Sequence, residues 1–255
     1  MPDISTLIDP FRMGEDLPAQ LEMVRRLAPH HCIGCDGYHL RWATRRASVD
    51  SQTELFDNPE SMSNILAAIG LLHRAGHREV KIFIAGSGDT KLLAACAYAV
   101  HVQKYFTPDA VEFHIMDACE TPLLIARAYA ERFGLRVATT TGTMPDAIPD
   151  LSSNLIIISG LLRFIPYEEK ARFLKRMRSL LSNGGAMAFT QSIRMEDDPA
   201  PARFECSDPA DLRNLLEQAG FVIEREAINK TRLRSGSETR RNRTRYSVLA
   251  TSGLS

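Results

Sequence analysis

From Val80 onward the chain alternates between short apolar runs and segments of helical period, and few architectures accommodate that order. Val80–Ala85, Val111–Met116, Arg136–Thr141, Leu155–Ser159 and Ala186–Gln191 read as five strands, all but the third followed by a segment read as a helix. Leu155-Ile-Ile-Ile-Ser159 is almost wholly apolar, as a strand covered on both faces has to be. Strand–helix alternation with short links predicts an α/β fold: a mainly parallel sheet covered on both faces, with right-handed crossovers. Phe221–Ile228 and Arg245–Thr251 add two further strands, read as a closing antiparallel hairpin with a long loop.

The helix punctuation supports this reading. Asn58-Pro59 opens a helix whose stripe is Met62, Ile65, Leu66, Ile69 and Leu72, with Gly76 at its end. Thr121-Pro122 opens another, closed by Gly134. A helix over Tyr167–Leu181 has Glu168 and Glu169 at its start and Arg176 and Arg178 near its end, which complements the helix dipole. Asn183-Gly184-Gly185 is read as its stop, and Asp208-Pro209 caps the last helix. Residues 1–56 are irregular, broken by Pro2, Pro10, Pro18 and Pro29, with helices expected at Leu17–Leu27 and about Asp36–Ala47. This divides the chain into an N-terminal helical lid, 1–56, and a main domain, 57–255.

Composition narrows the class of protein. Lys+Arg and Asp+Glu are 31 each among 255 residues, so the whole surface is not a polyanion binder. No apolar run approaches the ~18–20 residues that span a bilayer, and no membrane partner is expected. The start shows no signal-peptide pattern, and five cysteines are too sparse for a disulfide framework, so a cytoplasmic location is expected.

In parallel sheets ligands bind beyond the carboxyl ends of the strands, so the loops there carry the function. Gly86-Ser87-Gly88-Asp89-Thr90 follows the first strand, and its glycines let a ligand approach the backbone. Lys91 stands where the third glycine of the dinucleotide fingerprint would be, so the loop alone also fits a plain tight turn. Asp117 ends the second strand, where a carboxylate can accept both hydroxyls of a ribose or can simply lead a helix. Loop and acid at consecutive strand tips together favour an adenosine-containing ligand.

With these motifs in place, residues 65–255 resemble the class I S-adenosylmethionine-dependent methyltransferases. Ile84–Thr90 resembles the first motif, Asp117 the ribose-binding acid, and Leu161–Pro166 the loop after strand four. Leu180–Phe189 resembles the Gly-Gly turn into strand five, and Leu216–Phe221 the late helix and turn. The resemblance implies a Rossmann-like seven-stranded, mainly parallel sheet with a C-terminal antiparallel hairpin. It also implies S-adenosyl-L-methionine as cofactor and methyl transfer as the reaction. The cofactor contacts it implies are Gly86, Ser87, Gly88, Asp117, Ala118, Gly142, Thr143 and Ser159. Arg163, Phe164 and Gln191 fall where an acceptor is met. Ile84 differs from the family's frequent acid, Asn154 from its usual Asp, and Thr141-Gly142-Thr143 offers no acid near adenine.

The lid would supply the rest. Tyr38 and Trp42 suit a sulfonium or an acceptor, Arg41 or Arg45 the methionyl carboxylate, and His39 a general base. The competing reading is a helix that only packs. Cys32 and Cys35 form half a zinc site, but only the isolated Cys206 offers a remote ligand, so no metal is expected. His114, inside a strand, is read as a core histidine. Asn229–Arg245 holds seven Lys or Arg against one Glu, a net +6, read as a solvated tip or as capture of an acidic acceptor.

The reading is S-adenosylmethionine-dependent methyl transfer to a small-molecule acceptor, including an acidic one. Its rivals are an RNA methyltransferase using the basic loop and a non-catalytic adenosyl-ligand-binding protein on the same fold. Nucleic acid is not the expected partner, because neither an RNA-binding module nor a basic overall balance is present. Oligomeric state is left open.

Overall fold

The structure, a computed structural model, describes residues 17–32, 35, 37–41, 59–87, 90–193, 208–232 and 242–253. Seven strands run in the order β3-β2-β1-β4-β5-β7-β6, the mainly parallel sheet with an antiparallel end that the alternation predicts. The chain divides into two compact units, one up to Asp57 with Gly76–Pro149, the other Asn58–Ala75 with Asp150–Ser255.

The first unit holds β1 (Val80–Ala85), β2 (Val111–Asp117) and β3 (Arg136–Thr141), all parallel. Its helices are α1 (Leu17–His31), α3 (Lys91–His101) and α4 (Glu120–Phe133). β1 is buried at every position except Lys81, and Cys96, Ala97 and Ala99 of α3 are fully covered. α1 packs on α4 through Leu21, Val24 and Ala28. Two expectations need correction here. α1 runs through Pro29 to His31 instead of stopping near Leu27, and the turn survives because the Cys32 N–H donates to the Ala28 carbonyl at 3.0 Å. α4 begins at Glu120, two residues after Ala118, so Thr121-Pro122 lies inside its first turn. Gly134 does close it, at φ 63°, where a side chain would be strained. His114 pairs with Thr140 Oγ1 at 2.9 Å and packs near the Phe83 ring, a satisfied histidine as expected.

The second unit holds β4 (Ser153–Ser159), β5 (Leu181–Ile193), β6 (Val222–Arg232) and β7 (Asn242–Thr251). Its helices are α2 (Pro59–Arg74), α5 (Tyr167–Leu180) and α6 (Pro209–Gln218). β4 and β5 are parallel, and β7 lies antiparallel between β5 and β6. α2 buries Ile65, Ala68, Ile69 and Leu72 against β5 and β7, while Met62 and Leu66 of the expected stripe stay half-exposed. The Gly-Gly turn is not the helix stop. α5 ends at Leu180, and Asn183-Gly184-Gly185 is a bulge within β5, where the register jumps from Ser153↔Leu181 to Leu155↔Ala186. β6 and β7 are longer than expected, so Lys230, Arg232, Arg243 and Arg245 belong to strands, not to a loop. The remaining basic residues of that segment lie outside the described residues.

Candidate functional site

In the first unit the site is built around the tip of β2. β1 ends at Ala85 because Gly86 turns the chain at φ 76°, its N–H donating to the Met116 carbonyl at 2.8 Å. That turn brings the Ser87 N–H onto Asp117 Oδ2 at 3.0 Å, while the Cys119 N–H donates to Oδ1 at 2.9 Å. Asp117 is thus held from both sides, by the β1 loop and by the start of α4. Only 7% exposed, its carboxyl is pushed up to about 6 by burial, against the pull of the Cys119, Ser87 and Ala118 amides. A carboxylate has about four acceptor sites. Two backbone donors leave capacity for further hydroxyl donors.

The third loop joins the same tip. The Gly142 N–H donates to the Asp117 carbonyl at 2.9 Å, and a Cβ at Gly142 would lie 2.4 Å from the Ala147 Cβ, so only glycine fits. Thr143 is exposed and opens the turn that the Ala147 N–H closes on its carbonyl at 3.0 Å. Ala118 is half-buried beside Asp117. Gly86, Ser87, Asp117, Ala118 and Gly142 therefore lie together at the tip of β2. Gly88, Trp42 and Arg45 lie outside the described residues.

His39 also comes to this tip. Residues 38–41 are helical, and His39 is 4% exposed. Its Nδ1 lies 3.4 Å from Cys32 Sγ and 3.3 Å from Cys35 Sγ, and its Nε2 lies 3.9 Å from Asp117 Oδ1. Burial lowers its pKa to about 4, so the ring is neutral at pH 7. Both ring nitrogens face protein groups, Nδ1 the two thiols and Nε2 the Asp117 carboxylate. Tyr38 is half-buried with its ring edge-on to His39 at 5.4 Å.

Sequence reasoning missed Cys119. It lies 1% exposed at the N-terminus of α4, and one ligand atom from each of Cys32, Cys35, His39 and Cys119 gathers within 4.8 Å. Cys206, the remote ligand that the sequence offers to Cys32 and Cys35, lies outside the described residues. The available signal was position: Cys119 follows the strand-tip acid by two residues.

In the second unit Ser159 ends β4, exposed, and Gly160 turns at φ 66° with its N–H on the Thr190 carbonyl. Phe164 is 47% exposed with the Arg163 guanidinium 4.9 Å above its ring. Gln191, expected where an acceptor is met, is buried and bonded within the protein. It is 1% exposed, its Oε1 accepts the Leu162 N–H at 3.1 Å, and its amide donates to the Ser192 carbonyl. It braces the turn after β4.

No family model matches the sequence, and no curated protein does. Solved structures match the fold. Magnesium protoporphyrin IX methyltransferase from Synechocystis PCC 6803, with bound S-adenosylhomocysteine, aligns at TM-score 0.60 and 16% identity, over 91% of this chain and 99% of that one. N-methyltransferase NodS from Bradyrhizobium japonicum, also with S-adenosylhomocysteine, aligns at 0.54 and 13%, over 84% and 97%. The [4+2]-cyclase SpnF aligns at 0.52 and 14%, over 75% and 81%. The chain has the fold of the class I S-adenosylmethionine-dependent methyltransferases.

Proposed function

We propose that the chain binds S-adenosylmethionine at the β2 tip and transfers its methyl group to a small-molecule acceptor. The observation that carries this reading is Asp117: a buried carboxylate, fixed by two backbone donors, with acceptor capacity to spare beside a glycine turn. The methyltransferase neighbours with bound S-adenosylhomocysteine support it. SpnF, named a cyclase, is the reason that fold alone does not decide the reaction.

The residues fit the donor's ribose and adenine. Asp117 would accept the ribose hydroxyls, and the Gly86–Ser87 turn would let the ligand lie against backbone. Gly142, Thr143 and Ala118 would border the base. When bound, the donor supplies a methyl carbon already activated by positive sulfur. The protein's own task is then to align and to exclude water. Holding Asp117 in one rotamer by two amides prepays part of the ordering cost of binding. Within the first unit, Tyr38 remains the acceptor-side candidate. With no base assigned, an acceptor that arrives deprotonated, or that loses its proton to water, suits the site best.

Calorimetric titration with S-adenosylhomocysteine tests the reading. Asp117→Asn keeps the shape and loses the charge, and a charge-assisted bond is worth about 1.5–3 kcal/mol, so affinity should fall roughly 10–100-fold. Unchanged affinity in a folded variant would remove Asp117 from the donor site. An acceptor screen read by mass gain then identifies the substrate.

A further inference from the structure

We infer that Cys32, Cys35, His39 and Cys119 form a mononuclear zinc site that pins the N-terminal segment to the β2–α4 junction. The site belongs to the first unit and does not depend on the donor assignment.

The chemistry of the four groups selects the ion. Three thiols and one imidazole are a Cys3His set, among the commonest sets for closed, four-coordinate zinc. Soft sulfur ligands disfavour magnesium, calcium and manganese. Tetrahedral bonds of about 2.3 Å to sulfur and 2.0–2.1 Å to nitrogen put neighbouring donors about 3.5–3.8 Å apart. His39 Nδ1 stands 3.4 and 3.3 Å from two of the sulfurs, and all four donor atoms lie within 4.8 Å of one another. Shifts of a few tenths of an ångström in the His39–sulfur distances, and a drawing together of the wider pairs, would complete the shell.

The surroundings are those of a metal centre. With Nδ1 toward the sulfurs, His39 points Nε2 to the side of the Asp117 carboxylate, 3.9 Å from Oδ1, where a small shift would give the carboxylate–histidine pair common at zinc. Cys119 sits at the N-terminus of the 14-residue α4, whose unpaired amides and dipole favour a thiolate. Thr121 Oγ1 lies 3.1 Å from Cys32 Sγ; the thiol donates to it now, and the hydroxyl can reverse and donate once the sulfur is ionised. A divalent cation binding here displaces up to three thiol protons and leaves the centre with a net charge of −1, against the positive helix end. Without a cation, burial and mutual repulsion hold Cys32 and Cys119 protonated.

Four protein ligands leave no open position, so the site is structural and not catalytic. It ties residues separated by 87 positions in the sequence, from Cys32 to Cys119, and Cys119 is two residues from Asp117. Metal loss should therefore release residues 17–41 and loosen the carboxylate's mount.

The test uses the full chain purified under reducing conditions. Elemental analysis should find about one zinc per chain. Exchange into Co(II) should give the d–d bands of a tetrahedral site together with thiolate-to-cobalt charge transfer. Cys35→Ser and Cys119→Ser should each weaken the metal at least tenfold, while Cys206→Ser keeps it. His39→Cys should retain the ion and shift the Co(II) spectrum toward a four-sulfur set, which keeps the assignment testable if a serine variant fails to fold. Substoichiometric metal with no tetrahedral Co(II) spectrum in folded, thiol-reduced protein would overturn the site, as would a Cys32–Cys35 disulfide in metal-free protein of unchanged stability. One zinc per chain without S-adenosylhomocysteine binding leaves the site standing and removes the donor reading; binding without metal does the reverse.

Discussion

Gly142 shows how little room the β2 tip leaves a side chain. In Gly142→Ala the new methyl meets the Ala147 Cβ at 2.4 Å, and neither group can swing away, so the 143–147 turn must move. Overpacking of this kind costs about 1–3 kcal/mol, which for a chain of this size lowers the Tm by roughly 2–10 °C. A thermal melt checks it, and S-adenosylhomocysteine affinity should fall as well if the displaced turn borders the donor. Gln191 calls for a different discrimination. Gln191→Leu strands the buried Leu162 N–H, a loss of about 1–3 kcal/mol visible as lower stability. A KM change at full stability would instead restore Gln191 to the acceptor. The places of Asp117 and the glycines were legible from sequence because they follow from strand ends alone. Cys119 was not, because its value depends on a segment almost ninety residues upstream folding onto the same strand tip. The same limit hid the surroundings of His39: its burial among thiols and a carboxylate depends on the fold and not on its neighbours in sequence.

At the level of elements, the signals that held were those with a local mechanism. Asp208 caps α6 as its sequence indicates, its Oδ1 accepting the Ala210 N–H at 2.8 Å ahead of Pro209 at the first helical position. Asp208→Ala should cost about 0.5–2 kcal/mol in a denaturant titration, while Asp208→Ser should recover most of it. Gly134 and the apolar strands β1, β2 and β4 were equally plain. The boundaries that failed were set by tertiary partners. Gly184-Gly185 resembles a helix stop, but pairing with β4 extends β5 back to Leu181 and leaves the glycines as a bulge. Pro29 resembles a break, but packing of α1 on α4 carries the helix past it. Strand pairing also carried β6 and β7 into a segment whose charge reads as loop.

Across the whole molecule, chelation should act unevenly. If zinc pins the N-terminal segment, removing it should speed amide exchange in 17–41 and at the start of α4 and leave the β5–β7–β6 ladders nearly as protected as before. Uniform loss of protection would mean that the ion supports the entire fold. Donor addition is the opposite perturbation: a ligand at 100 times its Kd adds about 2.7 kcal/mol, a rise in Tm of roughly 5–10 °C, readable by scanning fluorimetry. The order of the second unit's strands has a consequence for synthesis. β7 is the last strand in sequence yet pairs on one side with β5, from Ala186↔Thr251 to Ile193↔Thr244, and on the other with β6. A ribosome making this chain therefore delivers both flanking strands before the one that joins them. Until Thr251 has left the exit tunnel, the β5 edge has no native partner on that side, and the nascent chain carries an open template for misassociation. Translational arrest just before β7 should yield a chaperone-bound or aggregating product, and arrest well after it a protease-resistant one.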